Sequence, residues 1–328
     1  MNREISQMEI SYGRWLQTLC LSLLVFVSSC TYGDTDRYSA KGKGKVFISL
    51  DWKGQALPSK THFYFYPSGS NIPVECEGDG HGYEGILPAG TYEMVVVNSD
   101  FENIALQTDK DKGYEQAYAH GIPAAGEPVA SETRAGEPDL ILPPGNFYGT
   151  GLADVQVDGS LDKIYTVYPR ELVYSVLLDL RIKGGEEVSA IKGTLTGVSP
   201  SVHIPSGKAS YNDLVAVSIP LSKLEGGHFR SEQTVFGLTP DIDEEMPAGQ
   251  NKLVLDISMA DGNGLKNELD ITELINEAVS GNVSGAVEAS IELELVIDTS
   301  RPEGLHLQLV GWHTGTGSAG NNRKEGLE

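Results

Sequence analysis

Ile86-Leu87-Pro88-Ala89-Gly90-Thr91-Tyr92-Glu93-Met94-Val95-Val96-Val97 reads as a tight turn feeding a strand. Pro88-Ala89-Gly90 supplies the turn, and residues 91–97 form the strand leaving it. The same pattern recurs on both sides. Upstream, residues 46–52 (VFISLDW) and 62–66 (HFYFY) are short β-branched and aromatic runs bounded by Gly, Pro and Ser. Downstream, residues 100–108 continue into a short strand, and order resumes at 140–142 and 147–148. Between them, residues 109–138 are dominated by Lys, Asp, Glu, Gly, Pro and Ala. That segment is a long exposed loop or a strand-poor insertion, a length usually reserved for function or mobility.

A second series begins at residues 163–169 (KIYTVYP) and 172–182 (LVYSVLLDLRI). In the latter, Val173, Ser175 and Leu177 alternate with Tyr174, Val176 and Leu178. Further strands are expected over 190–198, 214–219, 234–238, 252–259, 289–297 and 305–312. Only residues 271–279 (ITELINEAV) look helical, with Asp270 as N-cap, Glu273 at the third position and Gly281 past the end. Strands spaced roughly 10–15 residues apart, with one short helix, predict an all-β fold of sandwiches. Two are needed for a chain of this length. The boundary best fits within or just before 158–169. That gives an N-terminal β-sandwich over 45–162, a C-terminal β-sandwich over 163–312 and a polar tail over 313–328.

The chain has 328 residues, with 24 Lys+Arg against 46 Asp+Glu, a formal charge of −22. An acidic surface of this kind repels phosphates, so no nucleic-acid partner is expected. An apolar share of 40% with 8% aromatics excludes global disorder. Cys20, Cys30 and Cys76 are too few for a disulfide framework or a four-thiolate zinc site.

Residues 1–29 read as a secretory signal. Arg3 and Arg14 lead, an apolar stretch follows over 15–27 (WLQTLCLSLLVFV), and small residues close it before Cys30. The stretch is shorter than the roughly 20 apolar residues of a membrane span. Val27-Ser28-Ser29-Cys30 resembles a bacterial lipobox, which makes Cys30 the lipidated first residue of the mature chain. Acyl chains there would anchor it without a transmembrane helix. Residues 30–44, polar and Gly-rich, are a flexible tether. Cys76 is expected to be a small buried apolar residue.

Motifs for chemistry mostly fail. Gly315-Thr316-Gly317-Ser318-Ala319-Gly320 matches a dinucleotide fingerprint but has no helix after it. Asp261-Gly262-Asn263-Gly264 begins like a calcium loop, then lacks the required ligands, and fits a turn better. Asp241-Ile242-Asp243-Glu244-Glu245 and Asp109-Lys110-Asp111 read as solvated loop charge. The seven histidines are scattered, none paired at metal-ligand spacing on one element. No catalytic residues, metal or cofactor are expected, and the chain is not read as an enzyme.

The signal with Cys30, Leu87-Pro88-Ala89-Gly90-Thr91-Tyr92 leading into Val95-Val96-Val97-Asn98, and Tyr168-Pro169-Arg170-Glu171-Leu172-Val173-Tyr174 occur in an informative order. Gly193-Thr194-Leu195-Thr196-Gly197-Val198, Phe236-Gly237-Leu238 and Asp270-Ile271-Thr272-Glu273 continue it. Together they resemble the Bacteroidales fimbrillin superfamily, the type V pilins with their anchor and accessory lipoproteins. The resemblance implies two tandem transthyretin-like β-sandwiches and assembly with other fimbrial subunits by strand exchange. It also implies a surface-exposed place on the outer membrane, held by the lipid on Cys30. In polymerising subunits of such a family the lipidated start is cleaved after a basic residue. Arg37, the only Arg of the tether, is the candidate here. The polar end of the chain makes a poor donor strand, which favours an anchor or accessory subunit that keeps its lipid. The alternative is a surface lipoprotein binding a glycan or other host or microbial ligand, adhesin-like, through loop aromatics. Tyr114 and Tyr118, or Phe147 and Tyr148, are its candidates, although aromatics at such turns are more often packing plugs.

Overall fold

A computed structural model describes residues 42–108, 112–124, 138–158, 163–183, 185–238, 251–280, 288–298, 306–315 and 322–325. Cys30, Arg37, the signal and most of the tether lie outside the described residues, as do the 109–111 and 241–245 acidic clusters.

The first half contains β1 (Lys43–Leu50), β2 (Thr61–Pro67), β3 (Val74–Gly78), β4 (Gly82–Pro88), β5 (Gly90–Asn98) and β6 (Ile104–Gln107). It continues with β7 (Tyr118–Gly121), β8 (Leu140–Ile141), β9 (Tyr148–Val157), β10 (Lys163–Val167) and β11 (Arg170–Glu171). The second half has β12 (Tyr174–Lys183), β13 (Val188–Val198), β14 (Ser201–His203), β15 (Lys208–Ser210), β16 (Val215–Lys223) and β17 (His228–Val235). After them come β18 (Lys252–Met259), β19 (Gly264–Asp270), helix α1 (Thr272–Ser280), β20 (Glu288–Asp298), β21 (His306–Gly315) and β22 (Asn322–Glu325).

The opening turn carries the chain from one layer to the other. β4 lies in a three-stranded sheet, β10-β1-β4, and β5 in a five-stranded sheet, β11-β9-β5-β2-β3. The Tyr92 hydroxyl donates to the Pro88 carbonyl at 2.7 Å, which pins the corner and explains the Pro-x-Gly-x-Tyr spacing. Beyond it the valine run is buried on both faces. Tyr92, Met94 and Val96 pack with Phe63, Phe65 and Leu87 between these two sheets. Val95 and Val97 instead face a third layer, the four-stranded sheet β15-β14-β7-β6. A strand covered on both sides has no polar face to show, hence the unbroken apolar run.

The second half is one long path of strands, β19-β18-β13-β16-β17-β12-β20-β21-β22, with β8 added alongside β16. Residues of β13, β16 and β18 share one core with those of β12, β17 and β20, so the path folds over on itself as a sandwich. Within β12 the alternation resolves: Val176, Leu178, Leu180 and Ile182 face that core. The helix begins one residue later than expected, with Ile271 accepting its first backbone bond, and the Asp270 carboxylate accepts from the Thr272 backbone N–H at 3.0 Å from the position before the cap.

Among the described residues the all-β architecture with one short α-helix is as read, but the two sandwiches are not merely strung in tandem. Residues 163–167, placed at the start of the second sandwich, form β10 and pair in parallel with β1 in the first. Likewise β11 pairs with β9. Pairing thus carries the first half through Glu171. In addition, β14 of the second half pairs with β7 of the first, and β8 of the first half pairs with β16 of the second. The middle core mixes Phe147, Val95 and Ala119 with Leu172, Val173, Val202 and Phe236. Composition marks loops well, yet it carries no sign of which strand a segment will join.

The end of the chain also differs from a featureless polar tail. Residues 313–315 complete β21, which pairs with β20 as the sandwich's own strand, and Asn322–Glu325 pairs with β21. Edge pairing is made by backbone groups and tolerates charged side chains, so low apolar content does not forbid it.

Candidate functional site

A groove of about 1100 Å³ opens where the two halves meet. Its first wall is built from the residues after β1. Lys53 (φ 52°) and Gly54 (φ 89°) turn the chain through left-handed backbone, and the Gln55 N–H closes on the Trp52 carbonyl at 3.0 Å. That turn presents Gln55 to the groove. Trp52 is 4% exposed, and its indole N–H donates to the Gly80 carbonyl at 2.6 Å. Its ring meets Tyr148 edge-on, with centroids 6.0 Å apart and planes at 80°. The Tyr148 hydroxyl lies 3.4 Å from Gln55 Oε1. Buried Asn98 holds the other end: its Oδ1 accepts the Tyr148 N–H at 2.8 Å, and its Nδ2 donates to the Asn146 carbonyl at 3.1 Å. These contacts brace Tyr148.

The rim is residues 142–146, which run from β8 to β9. Asn103 Nδ2 donates to the Pro143 carbonyl at 2.9 Å, and the Gly145 N–H donates to the Glu102 carbonyl at 2.7 Å. From the second half, the Thr234 hydroxyl donates to the Pro144 carbonyl. The far wall comes from Ser175, Ser218, Pro220, Glu232 and Gln233. It exists because β16 and β17 pair only at Ser222↔Arg230 and Lys223↔Phe229, leaving a split that the rim partly fills.

Glu171 sits opposite Tyr148 in the β9–β11 register. Burial pushes its carboxyl above the usual carboxylate range, and burial together with Glu171 and Asp100 raises the Tyr148 hydroxyl. Glu102, Glu171 and Glu232 line the groove, and no Lys, Arg or His does so among the described residues. Its chemistry is that of a neutral-to-acidic, hydroxyl- and amide-rich surface with one braced aromatic ring.

The aromatic candidates separate. Phe147 is fully buried against Phe101, with centroids 5.5 Å apart, a packing plug. Tyr114 packs on Tyr66 at 6.4 Å at the edge of the middle core. Tyr118 lies on His203, 4.9 Å between centroids, away from the groove. Tyr148 alone of the four lines it. Gln55, Gln233 and the Glu residues carried no signal in sequence, being ordinary surface residue types that converge only through tertiary pairing. Cys76 is buried in the first core as expected, and Asp261 caps its turn through the Asn263 N–H at 2.9 Å. Among the described residues no three His, Cys, Asp or Glu side chains converge to hold a metal.

The seam carries a pH dependence. His120 and His203 sit on paired strands β7 and β14, their Nε2 atoms buried without hydrogen-bond partners. Burial lowers both below the ordinary histidine value; Arg170 also lowers His203, and Glu115 opposes it. A depressed folded value means the unfolded chain binds the protons first. The stability these rings contribute is therefore intact above about pH 6.5 and lost progressively below it. The expected result is that replacing both with glutamine flattens the loss of thermal stability from pH 7 to 5, followed by circular dichroism. Glu93 and Glu171, raised by burial, act in the opposite sense at lower pH, and both chains share them.

Layered sandwiches stitched by a shared sheet, with a polar groove at the seam, define an all-β sandwich protein. The chain belongs to the family described as domain of unknown function DUF5119, whose model matches residues 37–219. No curated protein matches the sequence. A candidate adhesin from Bacteroides ovatus is similar in structure, with a TM-score of 0.60 and 20% identity over 77% of this chain and 90% of its own. The fimbrial anchor protein Mfa2 from Porphyromonas gingivalis aligns with a TM-score of 0.51 and 12% identity, covering 82% of this chain and 95% of its own. A candidate polysaccharide-binding protein from Bacteroides thetaiotaomicron gives 0.51 at 11% identity, covering 84% and 96%. At these identities the likeness is one of fold, and at that level the resemblance to the fimbrillin superfamily holds. Among the described residues no helix is long and apolar enough to cross a membrane.

Proposed function

We propose that the chain is a structural cell-surface lipoprotein, a fimbrial anchor or accessory subunit that joins its neighbours by β-strand addition. The observation that carries this reading is the alignment with the fimbrial anchor protein over nearly all of that protein's length. The alignment covers 82% of this chain, more than one sandwich could supply, so it is not a match of one generic sandwich. Cys30 carries the lipid and holds the chain at the outer membrane, and the role requires no catalysis. Strand addition would use the sheet edges, where backbone groups are available for a partner's strand. A retained anchor keeps residues 30–44 whole, whereas cleavage after Arg37 would release the body.

The test is mass spectrometry of the mature N-terminus together with cell fractionation. The expected result is a diacylated Cys30 in the outer-membrane fraction, and Cys30→Ala should send the protein to the periplasm or medium. A mature chain beginning at Tyr38 in assembled material would refute the anchor role in favour of a processed subunit. Membrane retention of Cys30→Ala would refute lipidation.

A second reading is adhesion to a surface ligand, favoured by one observation: the braced Tyr148 in an open polar groove. The two readings are compatible, since an accessory subunit can also bind.

A further inference from the structure

We propose that the groove at the seam binds an uncharged oligosaccharide, with the Tyr148 ring as stacking platform and Gln55, Gln233, Glu171 and Glu232 as hydrogen-bonding partners. This rests on the ligand-binding reading above and assigns its site and ligand class.

The chemistry narrows the ligand from three directions. An apolar ligand would strip water from carboxylates and carboxamides and return nothing to them. An anionic ligand, a uronate or a phosphate, would face Glu102, Glu171 and Glu232 with no cation in the lining to offset them. A polyol suits the lining, because each hydroxyl both donates and accepts. Carboxamides answer both roles, and carboxylates accept from hydroxyls.

Tyr148 supplies what those polar groups lack. A sugar ring has an apolar C–H face as well as a polar rim, and a fixed aromatic ring covers that face. The ring meets Trp52 edge-on, packs against the first core, and carries hydrogen bonds at both its hydroxyl and its backbone N–H. Ordering such a ring costs a ligand little, since its rotamer is set before binding. A groove of about 1100 Å³, open along the seam, accommodates several sugar units. A basic peptide is the competing occupant that three carboxylates would admit. The amide and hydroxyl side chains of the lining outnumber those carboxylates, which favours a polyol over a polycation.

The experiment is isothermal titration calorimetry of the full mature chain with neutral gluco-, manno- and galacto-oligosaccharides. Oligogalacturonate and oligolysine are run beside them, and a glycan array supplies a broader screen. The expected result is binding of a neutral oligosaccharide and none of oligogalacturonate. Tyr148→Ala should weaken it about tenfold or more, the effect of one hot-spot side chain. Gln233→Ala, on the opposite wall, should weaken it too, and an unchanged melting temperature confirms that the fold is intact. Glycan binding that both variants leave unaltered overturns the groove while leaving surface ligand binding standing. Binding of oligolysine alone, or preferential binding of oligogalacturonate, overturns the ligand class. Absence of binding to every glycan on the array overturns the ligand-binding reading together with this site.

Discussion

Phe147→Ala should cost about 3–5 kcal/mol of unfolding free energy, the range for a fully buried phenylalanine whose cavity cannot collapse. Phe147 is 0% exposed, stands edge-on to Phe101, and shares the middle core with Leu172, Val173, Val202 and Phe236. Its carbonyl also accepts the Leu172 N–H at 2.8 Å, where the chain passes into the second half. The cavity therefore opens in a core that residues of both halves build. Chemical denaturation followed by tryptophan fluorescence and by circular dichroism would measure it. The wild type should unfold in one coincident transition, and the variant should show a lower midpoint and separated transitions as the halves uncouple. A loss under 1 kcal/mol, with coincident transitions kept, would mean that the middle layer does not join the halves.

Gly82→Ala should be comparably severe for a different reason. Gly82 has φ 140°, a backbone conformation that side chains disfavour, and it faces β1. An added Cβ would lie 1.8 Å from the Ile48 carbonyl oxygen, so backbone must move. The same residue closes the turn from β3, its N–H reaching Asp79 Oδ1 at 3.1 Å while its carbonyl accepts the Asp79 N–H at 3.0 Å. A cost on the order of 3 kcal/mol or more is expected. Gly54→Ala is the control. Gly54 also has positive φ, 89°, but nothing lies within 4 Å of its Cβ position, so only about 1 kcal/mol of backbone strain should appear. Equal midpoints for the two variants in urea would rule out the close approach of β4 to β1.

What could be read in advance was whatever nearby residues determine. The Pro88-to-Tyr92 corner, the valine run, the Asp270 contact at the helix start and the Asp261 turn each depend on a few consecutive positions. β19 gives little strand signal because it is an outer strand in GLKNELD, where charged residues alternate with Leu265 and Leu269. β9 was recognised only at its start, since Gly149 and Gly151 interrupt the pattern where the strand passes under the middle layer. β17, for which the sequence predicts 234–238, occupies His228–Val235, because Phe236 and Leu238 are buried in cores from the segment after it. The candidate site was legible only in Tyr148. Its other members come from six stretches between Gln55 and Thr234, and no local pattern marks a convergence made by strand pairing.

The pairing of β1 has a mechanical meaning. β1 starts at Lys43, directly after the segment that would tie the body to a membrane, and lies in the middle of its sheet. A pull on the N-terminus therefore enters along the axis of a central strand. Five residue pairs with β10 and seven with β4 are loaded in shear together, rather than peeled one at a time. Under flow, a load on that end would fall first on a strand clamped on both sides, and unfolding under such load is governed by the height of that rupture barrier.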